Sequence, residues 1–248
     1  MRELINDQGL EGVAMGRYPQ KGDGHGSLFN IQRLINCFPH VIETELKQGL
    51  ELSRDERFSW VSPLKYDDYA EYRDQDFIQR VTDKELKVPL KQFWPRYGPQ
   101  WDALGKTNQD KIFLVEAKAN IPEILSSPLG AKSEASVALI HASLDETKSY
   151  LNSKSQADWT TLFYQYCNRL AHLYFLRVKN NLLAYLLFVY FIGDASVEGP
   201  ASKEEWLGAL QVMKLLLGLD KKHKLSPYVI DVFIDVSNPR HFLIDPKV

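Results

Sequence analysis

Ile112-Phe113-Leu114-Val115-Glu116-Ala117-Lys118 runs four apolar residues straight into two charges. An unbroken apolar run of this length reads as a strand shielded on both faces. Side chains alternate along a strand, so Glu116 and Lys118, two apart, share a face at its end. A second strand, Gln100 to Leu104, precedes it across the polar loop Gly105 to Asp110. The midpoint between Asp102 and Glu116 is Gln109, inside that loop, so an antiparallel hairpin places the two carboxylates opposite each other. Paired residues of this kind have Cβ atoms about 5 Å apart. Two carboxylates that close repel unless a cation lies between them, and oxygen donors without thiols suit a hard ion such as Mg²⁺. Lys118 on the same face is placed to orient an attacking water or to neutralise charge on a phosphate.

Outward from this hairpin, Ser27 caps a helix over about 28–38 that Pro39 ends, and a second short helix covers 41–50. Tyr69, Tyr72, Phe77 and Val81 recur at helical spacing over 66–81. Leu90 to Trp94 reads as a short strand. Helices follow over about 133–151 and 158–178, then the apolar run Leu182 to Ile192, whose length fits a strand buried on both faces while periodicity alone leaves a buried helix open. An amphipathic helix over 202–219 and an alternating strand over 228–236 complete the order. The sequence therefore implies an α/β chain with a mixed central sheet flanked by helices. Its organisation reads as an N-terminal helical extension over 1–60 packed on a single globular unit over 61–248.

A formal net charge of -2 excludes binding of nucleic acid by sheer positive charge, although a local basic groove stays compatible with it. Two cysteines, Cys37 and Cys167, are too few for a disulfide framework or a thiolate zinc site. The N-terminus has no apolar run of the kind a signal peptide needs. The longest apolar stretch, eleven residues from Leu182, falls short of the roughly 20 that span a bilayer. The expectation is a soluble, cytoplasmic protein with no membrane partner. A homodimer is compatible with the sequence.

The segment Phe93-Trp94-Pro95-Arg96, Gly98-Pro99, Trp101-Asp102-Ala103-Leu104 and Val115-Glu116-Ala117-Lys118-Ala119 resembles the PD-(D/E)xK nuclease superfamily, and within it an uncharacterised group. The resemblance covers about residues 60 to 125 and, more weakly, 160 to 177. It implies a restriction-endonuclease-like fold and a nuclease using Mg²⁺ or Mn²⁺, with nucleic acid, DNA in preference to RNA, as substrate. On that resemblance Asp102 and Glu116 are metal ligands and Lys118 is catalytic. Two further positions carry over from it: Glu71, as an acidic residue on the helix preceding the first strand, and Gln165, on a helix after the lysine. Asn168 and Arg169 follow on the same helix as candidate phosphate contacts. One departure is Trp101, which stands where the superfamily's proline precedes the aspartate. Pro99 is three residues before Asp102.

Blander readings compete at each position. Taken alone, a glutamate and a lysine two apart on a strand are more often a surface ion pair. Asp231 and Asp235 fit the exposed face of an outer strand, and Lys221-Lys222-His223-Lys224 fits a solvated turn. His25 and His141 have no converging partners. Against the nuclease reading stands a non-catalytic module that binds nucleic acid or protein and retains the fold. Metal-dependent chemistry on a nucleotide or small phosphate ester is a third reading.

Overall fold

A computed structural model describes residues 16–50 and 52–238. Residues 1–15 of the expected N-terminal extension, and 239–248 at the other end, lie outside the described residues. In chain order the elements are β1 (Arg17–Tyr18), α1 (Gly26–Cys37), α2 (Pro39–Gly49), β2 (Phe58–Ser62), β3 (Glu71–Tyr72) and α3 (Asp74–Val81). There follow β4 (Ala103–Thr107), β5 (Lys111–Lys118), α4 (Glu134–Tyr150), α5 (Tyr164–Tyr174), β6 (Leu183–Ile192), α6 (Lys203–Leu216) and β7 (Val229–Asp235).

Five strands form one mixed sheet in the order β2-β4-β5-β6-β7, while β1 and β3 pair as a separate two-stranded ribbon. The pairs β2–β4 and β4–β5 are antiparallel, and β5–β6 and β6–β7 are parallel. The most apolar strands, β5 and β6, are therefore interior, as strands covered on both faces must be. Alternation along β5 divides the core. Ile112 and Leu114 pack with α3, α4, α5 and α6 side chains, including Phe77, Leu144, Leu170 and Trp206. Phe113, Val115 and Ala117 pack with Ile31, Leu34, Ile42 and Leu46 of α1 and α2. The result is three layers, helices on both faces of the sheet.

Several expectations about the elements need correction. The strand expected over Gln100 to Leu104 is β4 at Ala103–Thr107, so Gly105 to Thr107 are paired strand residues rather than loop, and Ser27 lies inside α1, whose N-cap is His25. Residues 66–81 do not form one helix. Lys65–Asp67 is a single 3₁₀ turn, Glu71–Tyr72 is extended and pairs with Tyr18 and Arg17, and only 74–81 is α-helical. The aromatic spacing that suggested a longer helix arises because Tyr72 enters the core from a strand and Phe77 from a helix. Leu90–Gln92 is a 3₁₀ turn rather than a strand, since Pro89 before it and Pro95 after it leave no room to pair. An unforeseen strand, β2, takes the sheet edge at Phe58–Ser62. Thus part of the stretch assigned to a helical extension lies in the central sheet. No helix among the described residues is long and apolar enough to cross a membrane.

Candidate active site

The turn at Asn108–Asp110 closes the β4–β5 hairpin, and its register pairs Ala103 with Val115. One step further along that register Asp102 stands across from Glu116, as the midpoint argument requires. Both lie on the α5 side of the sheet, and Lys118 follows on the same face. The packing that brings α5 over this strand end is aromatic: Tyr166 stacks on Phe188 of β6 with ring centroids 4.6 Å apart. Cys167, Leu170 and Leu173 are buried beside it. Gln165, Asn168 and Arg169, at helical spacing, then face the end of β5.

Glu116 is only 2% exposed, and both its oxygens are engaged. Oε1 accepts from Lys118 Nζ at 2.5 Å, while Oε2 is gripped by Arg169 through Nε at 2.7 Å and Nη2 at 2.6 Å. The Arg169 guanidinium also donates to Asn168 Oδ1 and to the Gln100 carbonyl, and it lies 4.8 Å over the Trp101 ring. Lys118 Nζ donates in addition to Gln165 Oε1 at 3.1 Å. Asp102 Oδ2 accepts from the Ala117 backbone N–H at 2.6 Å, which fixes the carboxylate beside β5. Glu71, also 2% exposed, accepts from the side-chain amides of Gln100 and Gln20 at 2.7 and 3.0 Å.

These contacts set the charge states. Burial pushes the Asp102 carboxyl well above the ordinary carboxylate range, and the charges of Glu116 and Glu71 push the same way, against the pull of Lys118 and the Ala117 N–H. Burial also disfavours ionised Glu116, but Arg169 and Lys118 outweigh it and hold this carboxyl below its usual value. Glu71 is raised, chiefly by burial, against the Gln100 and Gln20 donors. Lys118 loses charge stability to burial, yet the Glu116 and Asp102 carboxylates more than restore it and its pKa rises. Three carboxylates face two cations, so the fully ionised cluster is one positive charge short. A proton on Asp102 or a bound cation makes up the difference.

Glu71, Asp102, Glu116, Lys118, Gln165, Asn168 and Arg169 all line one open cleft of about 490 Å³. Glu71 arrives there from a strand rather than from the expected helix. Arg169 is turned into the protein and committed to Glu116, Asn168 and Gln100. Gln100 was missed by sequence reasoning, although it stands two residues before Asp102 in the stretch read as a strand, where alternation would have put the two on one face. Tyr97 and Tyr164 also border the cleft, with no signal in spacing to mark them. Comparison with protein families, with curated proteins and with solved structures finds no match. The site's anionic donors are carboxylates, with neither thiol nor imidazole among the described lining residues. No three His, Cys, Asp or Glu side chains converge as a metal-binding group among the described residues.

Proposed function

We propose that the chain is a divalent-metal-dependent nuclease of restriction-endonuclease-like fold, hydrolysing phosphodiester bonds in nucleic acid, DNA in preference to RNA. The observation that carries this reading is the pairing of Asp102 with Glu116 beside Lys118 in an open cleft that is one positive charge short. The donor set fits Mg²⁺ or Mn²⁺ better than zinc, because hard ions take one or two carboxylates and complete their shell with water and phosphate oxygens. When bound, the ion neutralises the phosphate and lowers the pKa of a water.

The residues divide the remaining work. Asp102 and Glu116 would hold the ion. Lys118 Nζ, hydrogen-bonded to Glu116 Oε1, would orient the attacking water or donate to a non-bridging phosphate oxygen as charge develops there. Gln165 positions the lysine, and Arg169 holds Glu116 ionised. Hydrolysis consumes one water and breaks one P–O ester bond. A second reading, a non-catalytic module binding nucleic acid or protein, draws support from the occupation of both Glu116 oxygens by Lys118 and Arg169. A cleavage panel of single- and double-stranded DNA and RNA with Mg²⁺ or Mn²⁺, run beside Lys118→Ala, separates the two. Metal-dependent cleavage that Lys118→Ala lacks supports the nuclease. Binding without cleavage by either protein favours the module.

A further inference from the structure

At the mouth of the cleft stands a tyrosine that the proposed chemistry does not use. Tyr97 is 74% exposed, an unusual state for a large aromatic side chain, yet its backbone is tightly held. Its φ is 68°, in the left-handed region that non-glycine residues rarely adopt. The carboxylate of Asp74 fixes that conformation by accepting from the N–H groups of Tyr97 and Gly98 at 3.1 and 2.8 Å. The ring is backed by Arg73, whose guanidinium lies 4.6 Å from its centroid and 4.2 Å from that of Tyr18. Arg73 is thus sandwiched between two tyrosines, with its Nε lacking a hydrogen-bond partner. Strain, anchoring and backing together present the free side of one aromatic ring to solvent beside the carboxylate pair.

We propose that Tyr97 is a stacking platform for one unpaired base of a nucleic-acid strand whose phosphate enters the cleft. This rests on the nuclease reading and adds a substrate class to it. Every base has a π-face that stacks on an aromatic ring, so the platform is tolerant of sequence. It is intolerant of a fully paired duplex, in which those faces are covered by neighbouring bases. The site therefore selects single strands, overhangs or frayed ends. The guanidinium of Arg73 behind the ring, its charge partnered by Asp74 with Nε 3.8 Å from the carboxylate, restrains the ring's plane and so lowers the ordering cost of binding. Strain retained at a cleft mouth is the pattern expected of a recognition element.

The test is a binding titration of fluorescein-labelled single-stranded and duplex DNA of one length, in EDTA and again with Mn²⁺ in a Lys118→Ala background. Tyr97→Ala should weaken single-strand binding on the order of tenfold, the scale of one lost base stack, and leave the weaker duplex binding unchanged. Tyr97→Phe and Tyr97→Trp should retain the preference, since the ring and not the hydroxyl carries it. Melting temperatures of all variants guard against a purely structural role, in which Tyr97→Ala lowers stability and leaves binding unaltered. That outcome, or an equal loss on both substrates, overturns the platform while the nuclease reading stands on wild-type cleavage. If the wild type binds and cuts no nucleic acid, both fall.

Discussion

Glu116 is the residue on which the site depends most, because a carboxylate so deeply buried is ionised only through its partners. Arg169→Ala removes a bidentate partner and leaves that charge uncompensated, so it should cost about 3–5 kcal/mol in urea denaturation. Arg169→Lys, which keeps the charge and loses the fork, should recover part of it. A loss below 1 kcal/mol for Arg169→Ala would mean that Lys118 alone suffices. Lys118→Ala belongs to a different class. Under the proposed mechanism it should lower cleavage by roughly two to three orders of magnitude with Mn²⁺ binding retained. His172 tests the same principle without the site. It is 1% exposed among Phe77, Trp94 and Trp101, and burial pushes its pKa down to about 3. The unfolded chain protonates this imidazole near 6.5 and the folded chain does not until about 3. The stability it contributes is thus present above about pH 6.5 and is lost as pH falls toward 3. His172→Phe should flatten that part of the stability curve, measured by chemical denaturation at several pH values. An unchanged slope would place the acid sensitivity elsewhere.

At the scale of elements, the edge of the sheet is the most exacting junction. Gly105 pairs with Trp60, and a Cβ there would meet the indole at 2.9 Å. The ring is held from the other side by its bond to Glu43 of α2 at 3.1 Å. Gly105→Ala should therefore force the indole off the edge and cost about 1–3 kcal/mol, with the loss visible in near-ultraviolet circular dichroism. Neutral behaviour would show that Trp60 can relocate freely. The same junction marks where the sequence was hard to read. The β4–β5 hairpin was legible because its apolar run, polar turn and paired charges each constrain the register, whereas β6 was legible only by length, since eleven consecutive apolar residues fit a buried helix equally well by periodicity. The β2 strand was not, since Phe58 to Ser62 carries no clean alternation: Trp60 is only half-buried, and a register shift follows it. Glu71 was expected beside Asp102 on a helix and lines the same cleft from a strand. Its strand is held by pairing with Arg17 and Tyr18, some fifty residues away, and by the bridge from Tyr72 to Trp101, and local periodicity holds no record of either contact.

Across the whole molecule, the three-layer architecture brings side chains from β3, the β4–β5 hairpin and α5 into one cleft, and that convergence is coupled to stability through charge. In metal-free protein the folded chain keeps a proton on Asp102 that the unfolded chain releases near 3.8. A raised carboxyl pKa contributes stability that is fully present below 3.8 and lost as pH rises through the higher folded value. Asp102→Asn removes that loss, so without metal the variant should equal or exceed the wild type in stability, and its advantage should grow with pH. A bound divalent ion has the opposite effect on the wild type, stabilising it by mass action according to the ratio of free metal to its dissociation constant. The most direct test is therefore a set of thermal melts of wild type and Asp102→Asn, in EDTA and across a Mn²⁺ titration to saturation. The wild-type Tm should climb with Mn²⁺ while the variant, at least as stable in EDTA, gains little. Identical responses of the two proteins at saturating Mn²⁺ would contradict the Asp102–Glu116 ion site.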